Sequence, residues 1–366
     1  MASPKSDLAA LAETAPSPPA AQSPQTAHHD HGLLPAAHWA QQASDDDADS
    51  AHGDDRASST ASLAASILEY RTIHGRTYHS DRSATAQHWA PNDDKQSECM
   101  DIIHHLLTLC LDGKLYRAPL DPKKIHNALD IGTGTGIWAM DFADMFPNAK
   151  VVGTDLSPTQ ASWVPPNLYF EIDDMTQSWG FPDESFDYVH MRYLFGSVGD
   201  WNELFRQAYR VCRPGAYVES FEMDALAFAE DGSIVENSPL DQWGKLFKEA
   251  GKMTGRSFMV ITEDVQRKGL EAAGFTDLVQ WDFNCPLTPW PADKKLKEMG
   301  QCSYQSLEAD IEGMAMFMFT TVLNWTPAQT QVYLAYLRRQ LKDRNVHGMF
   351  KLRCIYAYKP EEAPAS

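Results

Sequence analysis

Apolar positions along this chain follow two alternating periods from residue 92 nearly to the C-terminus. The segment NDDKQSECMDIIHHLLTLCLDGKLYRAPL, starting at Asn92, repeats apolar side chains at three- and four-residue intervals through Ile102, Ile103, Leu106, Leu107, Leu109 and Leu111. That spacing predicts an amphipathic helix, capped by Asn92 and stopped at Gly113, packed as a lid or brace ahead of a sheet. Short apolar runs then alternate with helical stretches. HNALDIG, KVVGTD, LYFEIDD, FDYVHMR and AYVESFEM predict buried or half-buried strands, with helices at Ile137 to Met145 and Asp200 to Val211 between them. Helices near 238–251 and 260–273, a strand in TDLVQWDFNCPL and a helical insertion follow. The segment LAYLRRQLKD and the strand FKLRCIYAYKP end the ordered chain. Strand alternating with helix implies right-handed crossovers and one doubly wound, mostly parallel α/β sheet.

Residues 1–62 break this pattern. They are rich in Ala, Ser, Pro, His and Asp and nearly empty of Ile, Val and aromatics, so they cannot bury enough apolar surface to offset ordering entropy and are expected to be disordered. Within them HHDH (His28 to His31) is either a metal-attracting cluster or a solvated polar tail, with no second ligand cluster to complete a site. SDDDAD from Ser44 reads as a solvating acidic tract. The expected organisation is a tail over 1–62, a folded domain over 63–360 and a short tail over 361–366. Within the domain the core spans 126–224, with helical insertions at about 237–273 and 288–325.

Composition excludes several roles. The formal net charge of −19 opposes direct binding to nucleic acid or an anionic membrane surface. No run approaches the ~20 apolar residues of a membrane span, and the N-terminus lacks the basic start and apolar stretch of a secretory signal. Six dispersed cysteines with no C-x-x-C pair predict free thiols, consistent with a cytoplasmic or nuclear protein.

The chemistry gathers in ALDIGTGTGIWAMDFAD, from Ala128 to Asp144. Gly132, Gly134 and Gly136 follow a strand and open a helix, letting backbone approach a nucleotide closely. The third glycine comes two residues after the second, whereas nicotinamide and flavin fingerprints place it three after. Asp130 ends the strand, where a carboxylate repels a pyrophosphate but can hold the ammonium of a methionyl tail. Asp155, after KVVGTD, can accept from both ribose hydroxyls. Asp173 or Asp174 can accept from an adenine amino group, with Met175 packed on the ring. Acids at the ends of three successive strands converge on the edge where open α/β sheets bind ligands, which points to S-adenosyl-L-methionine. Any one of them alone would read as a polar helix cap.

These motifs, with GRTYH, GTDLSPTQASWVPPN, FEIDDM and MRYLFGSVGDW, resemble class I S-adenosylmethionine-dependent methyltransferases, in particular the fungal LaeA-like family, from about Glu69 to Pro360. The resemblance implies a seven-stranded Rossmann-like sheet whose last strand is antiparallel. It maps Asp130, Gly132, Gly134, Gly136, Asp155, Asp173 and Asp174 onto cofactor contacts, with Thr133 and Leu156 beside them. Members of that family include secondary-metabolism regulators that associate with velvet proteins, and enzymes of natural-product pathways. This chain is therefore expected to methylate a small-molecule acceptor, with regulation through velvet-type partners as the alternative.

Methyl transfer needs alignment and exclusion of water, and a base where the acceptor is acidic. His190, beside Arg192 and Tyr193, is either that base or a hydrogen-bonded structural histidine. Glu222, with Glu230, is either a catalytic carboxylate or a solvated strand edge. Tyr78 and His79 either close over the cofactor, with Arg76 near an acidic group, or form a surface loop on the lid helix. Trp281 and Trp290 flank the late insertion, where Met314, Met316 and Met318 either line an apolar acceptor pocket or build a core helix. No metal site is expected, and no N/D-P-P-Y motif supports amino-group methylation of adenine or glutamine.

Overall fold

The computed structural model describes residues 32–42, 70–79 and 88–361. Helix α1 is Ala36–Gln42, and β1 (Arg71–Ile73) and β2 (Arg76–Tyr78) form an antiparallel hairpin. Helix α2 (Asp94–Cys110) precedes β3 (Asn127–Ile131), α3 (Ile137–Met145), β4 (Lys150–Asp155), β5 (Leu168–Ile172) and β6 (Phe186–Arg192). Then come α4 (Trp201–Val211), β7 (Cys212–Phe228), α5 (Pro239–Thr254), α6 (Val265–Ala273) and β8 (Thr276–Pro286). Helix α7 (Lys294–Phe317) runs into a π-helical turn at Met318–Val322, followed by α8 (Pro327–Leu341) and β9 (Met349–Tyr358).

Seven strands form one sheet in the order β5-β4-β3-β6-β7-β9-β8. The first five are mutually parallel, and β9 inserts antiparallel between β7 and β8. This is the doubly wound Rossmann-like sheet with an antiparallel last strand. The order reverses direction between β3 and β6, leaving a crevice at their carboxyl ends. Central strands are buried on both faces, as helices on either side demand: Ala128, Leu129, Tyr188 and Val189 are fully buried. On one face Trp138 and Phe142 of α3 stack on each other and pack with Tyr188. A larger core joins α2, α4, α5, α7 and α8 on the remaining surfaces.

Helix α2 is capped by Asp93, whose side chain accepts the Gln96 N–H at 3.1 Å. Asn92, the expected cap, instead turns its amide to Ser157 Oγ at 3.1 Å. Gly113 adopts φ +77° and returns its N–H to Thr108 at 2.9 Å, ending the helix as its sequence predicts. Arg76 does meet acids. Its guanidinium bridges Asp93 and Asp310, the latter at 2.7 Å from both terminal nitrogens. Asp310 sits at a kink in α7, at φ −149°, so one arginine ties the hairpin to the cap of α2 and the bend of α7.

Composition predicts disorder over 1–62, yet residues 33–42 are folded. Trp39 of α1 is buried, edge-on to Tyr333 of α8, and Leu34 N–H reaches Gln242 Oε1 at 2.7 Å. A single tryptophan and a few leucines suffice here because α5 and α8 supply the other half of the contact. The HHDH cluster, the acidic SDDDAD tract and the expected start of order at Leu63 lie outside the described residues. All six cysteines are free and buried. Among the described residues no helix is long and apolar enough to cross a membrane.

Candidate active site

The glycine loop leaves β3 with Gly132 at φ +67°, Gly134 at +59° and Gly136 at +80°, backbone that glycine adopts without strain. Two of these glycines also answer to crowding. A Cβ on Gly132 would lie 2.6 Å from Leu194 Cδ2, and one on Gly136 would collide with the Phe170 ring. A Cβ on Gly134 would meet nothing within 4 Å, because this residue faces an open cleft.

The cleft follows the carboxyl edge of the sheet in strand order. Asp173 and Met175 come from the end of β5, and Asp155 and Leu156 from the end of β4. Gly132 and Gly134 come from β3, Arg192 and Tyr193 from β6. Helix α2 covers it with Gln96, Ser97 and Met100, and Thr135 Oγ1 ties loop to lid through Asp101 at 2.8 Å. Asp155 accepts Gly134 N–H at 2.9 Å and Ser157 N–H at 3.1 Å, and burial raises its pKa to about 6. Burial likewise raises the pKa of Asp173, which faces the cleft. Asp174 is absent from the lining of that cleft; one of its oxygens is taken by the Thr176 N–H and hydroxyl, and the other is buried without a partner among the described residues.

Asp130 is tied into the loop, one oxygen accepting Thr133 Oγ1–H at 2.6 Å and the other His190 Nδ1–H at 2.8 Å. It also lines the small cavity at the glycine loop, with Gly132, Thr133 and Arg192. His190 sits beside Asp130 in register on the adjacent strand. Its ring stacks face-on against Trp138 with centroids 3.6 Å apart. Burial lowers its pKa against the opposing pull of Asp130, and it lines neither this cleft nor the apolar chamber described below. Its contacts, one hydrogen bond and one ring stack, are both made within the fold.

Glu222 is not a solvated edge: it is 1% exposed. Its carboxylate accepts the backbone N–H groups of Leu194 (2.9 Å) and Phe195 (3.0 Å), and burial raises its pKa to about 8. Glu230 stands apart, accepting from Asn284 Nδ2 at 3.2 Å. Tyr78 is fully buried against Phe317 rather than over the cleft; its neighbour His79 lines the cleft and bonds Ser157 Oγ. Gly136 N–H donates to Thr133 O at 3.0 Å, closing the loop on itself.

Several cleft residues carry no local sequence signal. Gln96 Oε1 and Asn92 Oδ1 are buried acceptors without partners among the described residues. Such acceptors are costly unless a ligand donates to them. Arg192 donates to His104 Nδ1 at 2.7 Å, and the opposite ring nitrogen of His104 faces Asp141 at 3.1 Å. Desolvation pulls the Arg192 pKa down to about 10, so it stays cationic at neutral pH. His88, bonded to Ser197 Oγ at 2.9 Å, and His79 are held neutral by burial. Carboxylates toward β5 and β4, a cation at β6 and unpartnered acceptors on the lid fit a zwitterionic adenosyl ligand with donor groups along its length.

Behind Trp89 and Tyr193, which it shares with the cleft, lies an apolar chamber walled by α2, α5, α7 and β7 to β9. Met314 lines it, whereas Met316 and Met318 are buried elsewhere in the core. Trp281 packs under Arg117, and Trp290 donates to Gly348 O at 3.3 Å, both away from this chamber. Among the described residues no cluster of His, Cys, Asp or Glu could hold a metal ion.

Residues 92–280 match a family model described as a methyltransferase domain. The chain is 36% identical over 307 residues to methyltransferase pytC of Aspergillus terreus, covering 84% of this chain and 93% of that one. It is 32% identical over 295 residues to the secondary metabolism regulator LAE1 of Cochliobolus heterostrophus, covering 79% and 94%. The probable methyltransferase tdiE of Emericella nidulans is 32% identical over 273 residues, covering 75% and 84%. Sheet order, glycine loop and these relatives agree: the chain belongs to the class I S-adenosyl-L-methionine-dependent methyltransferases, within the fungal LaeA-like family.

Proposed function

We infer that this methyltransferase alkylates an oxygen of a small, largely apolar acceptor, of the kind made in secondary metabolism, without a metal. The observation that carries this reading is the apolar chamber, which shares Trp89 and Tyr193 with the cofactor cleft and has no charged side chain in its wall. Such a wall favours a small molecule over a charged peptide.

S-adenosyl-L-methionine, when bound, supplies an activated methyl on a sulfonium. The residues of the chain then have three tasks. Arg192 pairs with the cofactor carboxylate, while Gln96 and Asn92 accept from its ammonium and hydroxyl donors. Asp155 accepts from the ribose, Asp173 from the adenine amino group, and Met175 and Leu156 pack on the base. Helix α2 keeps water out, so alignment does most of the work. His79 and His88, neutral and facing the cleft, retain lone pairs to take the proton that a hydroxyl acceptor loses. His190 and Glu222 hold backbone and loop in place.

The test is transfer of label from methyl-labelled cofactor in an extract of the source cells treated with chelator. Labelled methoxy groups in the small-molecule fraction support this reading. Label confined to protein, or loss of transfer with the chelator, contradicts it.

The second reading is a regulator acting through velvet-type protein partners, favoured by relatives named secondary metabolism regulators. It predicts that a Gly134→Arg variant, unable to hold cofactor, fully rescues a deletion strain and that velvet-type proteins co-purify with the chain. The enzyme reading predicts no rescue.

A further inference from the structure

Tyr193 holds φ +59°, a left-handed backbone that bulky side chains rarely adopt. Three hydrogen bonds pin this turn. Tyr193 N–H donates to Phe221 O at 2.9 Å, and the next two N–H groups donate to the buried Glu222 carboxylate. The Tyr193 ring lies edge-on to Phe195 with centroids 4.8 Å apart. So held, Tyr193 lines the cofactor cleft, the small cavity beneath the glycine loop and the apolar chamber. Its hydroxyl has no hydrogen-bond partner among the described residues, and burial keeps the phenol protonated.

The other polar groups in the chamber wall are already engaged. Ser303 Oγ meets Cys285 Sγ at 3.3 Å, Ser306 Oγ donates to Ser303 O at 2.9 Å, and Trp89 Nε1 donates to Phe195 O at 3.1 Å. The remaining wall is carbon and thioether, including Leu307, Met223 and Phe247. A charged molecule there would lose its hydration with nothing to replace it. A flat apolar molecule with one hydroxyl would meet a single handle, on a side chain that also lines the cofactor cleft.

We propose that Tyr193 is the acceptor-positioning residue, and that the chamber behind it takes an uncharged aromatic or similarly flat apolar molecule, held by a hydrogen bond between its hydroxyl and the Tyr193 phenol. Strain at Tyr193 then has a purpose: it holds a side chain that lines both chamber and cleft, and Glu222 acts through that turn. The proposal rests on the small-molecule reading above.

Equilibrium dialysis of the full chain with naphthalene, 1-naphthol and 1-naphthoate tests it, with S-adenosylhomocysteine titrated separately. In the wild type 1-naphthol should bind, and 1-naphthoate should bind at least about tenfold more weakly, given the cost of burying an unpaired charge. Tyr193→Phe should weaken 1-naphthol about fivefold, the ~1 kcal/mol of one hydrogen bond, and leave naphthalene unchanged. Leu307→Trp and Ala225→Leu fill the chamber and should abolish binding of both, and retained S-adenosylhomocysteine binding shows that they are folded. No binding of 1-naphthol to the wild type, equal affinity in Tyr193→Phe, naphthoate matching naphthol, or indifference to both filling variants would overturn the proposal. Failure of S-adenosylhomocysteine to bind the wild type would strike the cofactor reading instead.

Discussion

Asp155 accepts the backbone N–H of Gly134 at 2.9 Å, across 21 positions of chain. This bond fastens the end of β4 to the glycine loop. Under the proposed function the carboxylate would serve both the loop and the ribose, and its loss should loosen the loop as well as remove a contact. Asp155→Asn keeps an acceptor oxygen for Gly134 and should retain weak cofactor binding, whereas Asp155→Ala should show none by calorimetry. Equal loss in both would mean that the charge alone matters.

The pKa of Asp155, raised by burial to about 6, predicts a pH dependence. Ribose hydroxyls donate better to the ionised carboxylate, so cofactor affinity should rise as pH increases through about 6. A flat affinity between pH 5 and pH 7.5, roughly 1.5 units on the alkaline side of that value, would mean that Asp155 stays ionised throughout.

Stability should follow the opposite slope. Burial raises Glu219 to about 7 and Glu222 to about 8, above the ~4.3 of an unfolded glutamate. Between those values the folded chain holds more protons than the unfolded one. The stabilisation from these groups is thus complete below the unfolded pKa and is lost as pH rises through the folded ones. The melting temperature should fall from about pH 6.5 to about pH 8.5, and Glu222→Gln should flatten that fall. His79 and His104, lowered by burial to about 4 and about 3, work against this below pH ~6.5.

Arg76 offers a test of the lid. Arg76→Met strands Asp93 and the fully buried Asp310 and should cost about 3 kcal/mol, the lower end for a broken buried pair because the arginine is partly exposed. Chemical denaturation measures it. A loss within ~0.5 kcal/mol, typical of surface changes, would reduce the cluster to a surface ion pair.

A comparison of histidines separates the two roles assigned to them. His88→Gln should lower kcat with an altered pH profile, by roughly 10²-fold or more if His88 takes the proton. His190→Asn should chiefly lower the melting temperature, because the ring fills the space against Trp138 and anchors Asp130. A His190 variant of normal stability and lost turnover would return that residue to the chemistry.

Much of this was legible along the chain because the signals are local. Apolar runs bounded by polar turns marked each strand of the parallel half, and the G-x-G-x-G spacing with acids at strand ends marked the ligand. What escaped depends on partners far away in sequence. Glu222 and Leu194 are 28 residues apart, and Asp130 and His190 are 60 apart, so neither pairing leaves a mark nearby. Glu222 shows the consequence: its sequence leaves a catalytic carboxylate and a solvated strand edge both open, because the backbone donors that bury it lie far away along the chain. Gln96 belongs to a helix whose apolar stripe is plain in the sequence, but periodicity does not tell which polar residue faces a cleft. Trp39 folds a short helix in a segment whose composition is that of a tail.

The most direct measurement is the thermal shift of the purified chain with S-adenosyl-L-methionine, with NAD as control. The sulfonium should raise the melting temperature with the logarithm of its excess over Kd, and Gly134→Arg, which puts a side chain into the cleft from a backbone at φ +59°, should abolish the shift. Stabilisation by NAD without any by S-adenosyl-L-methionine, or an undiminished shift in Gly134→Arg, would contradict a cofactor site at this loop.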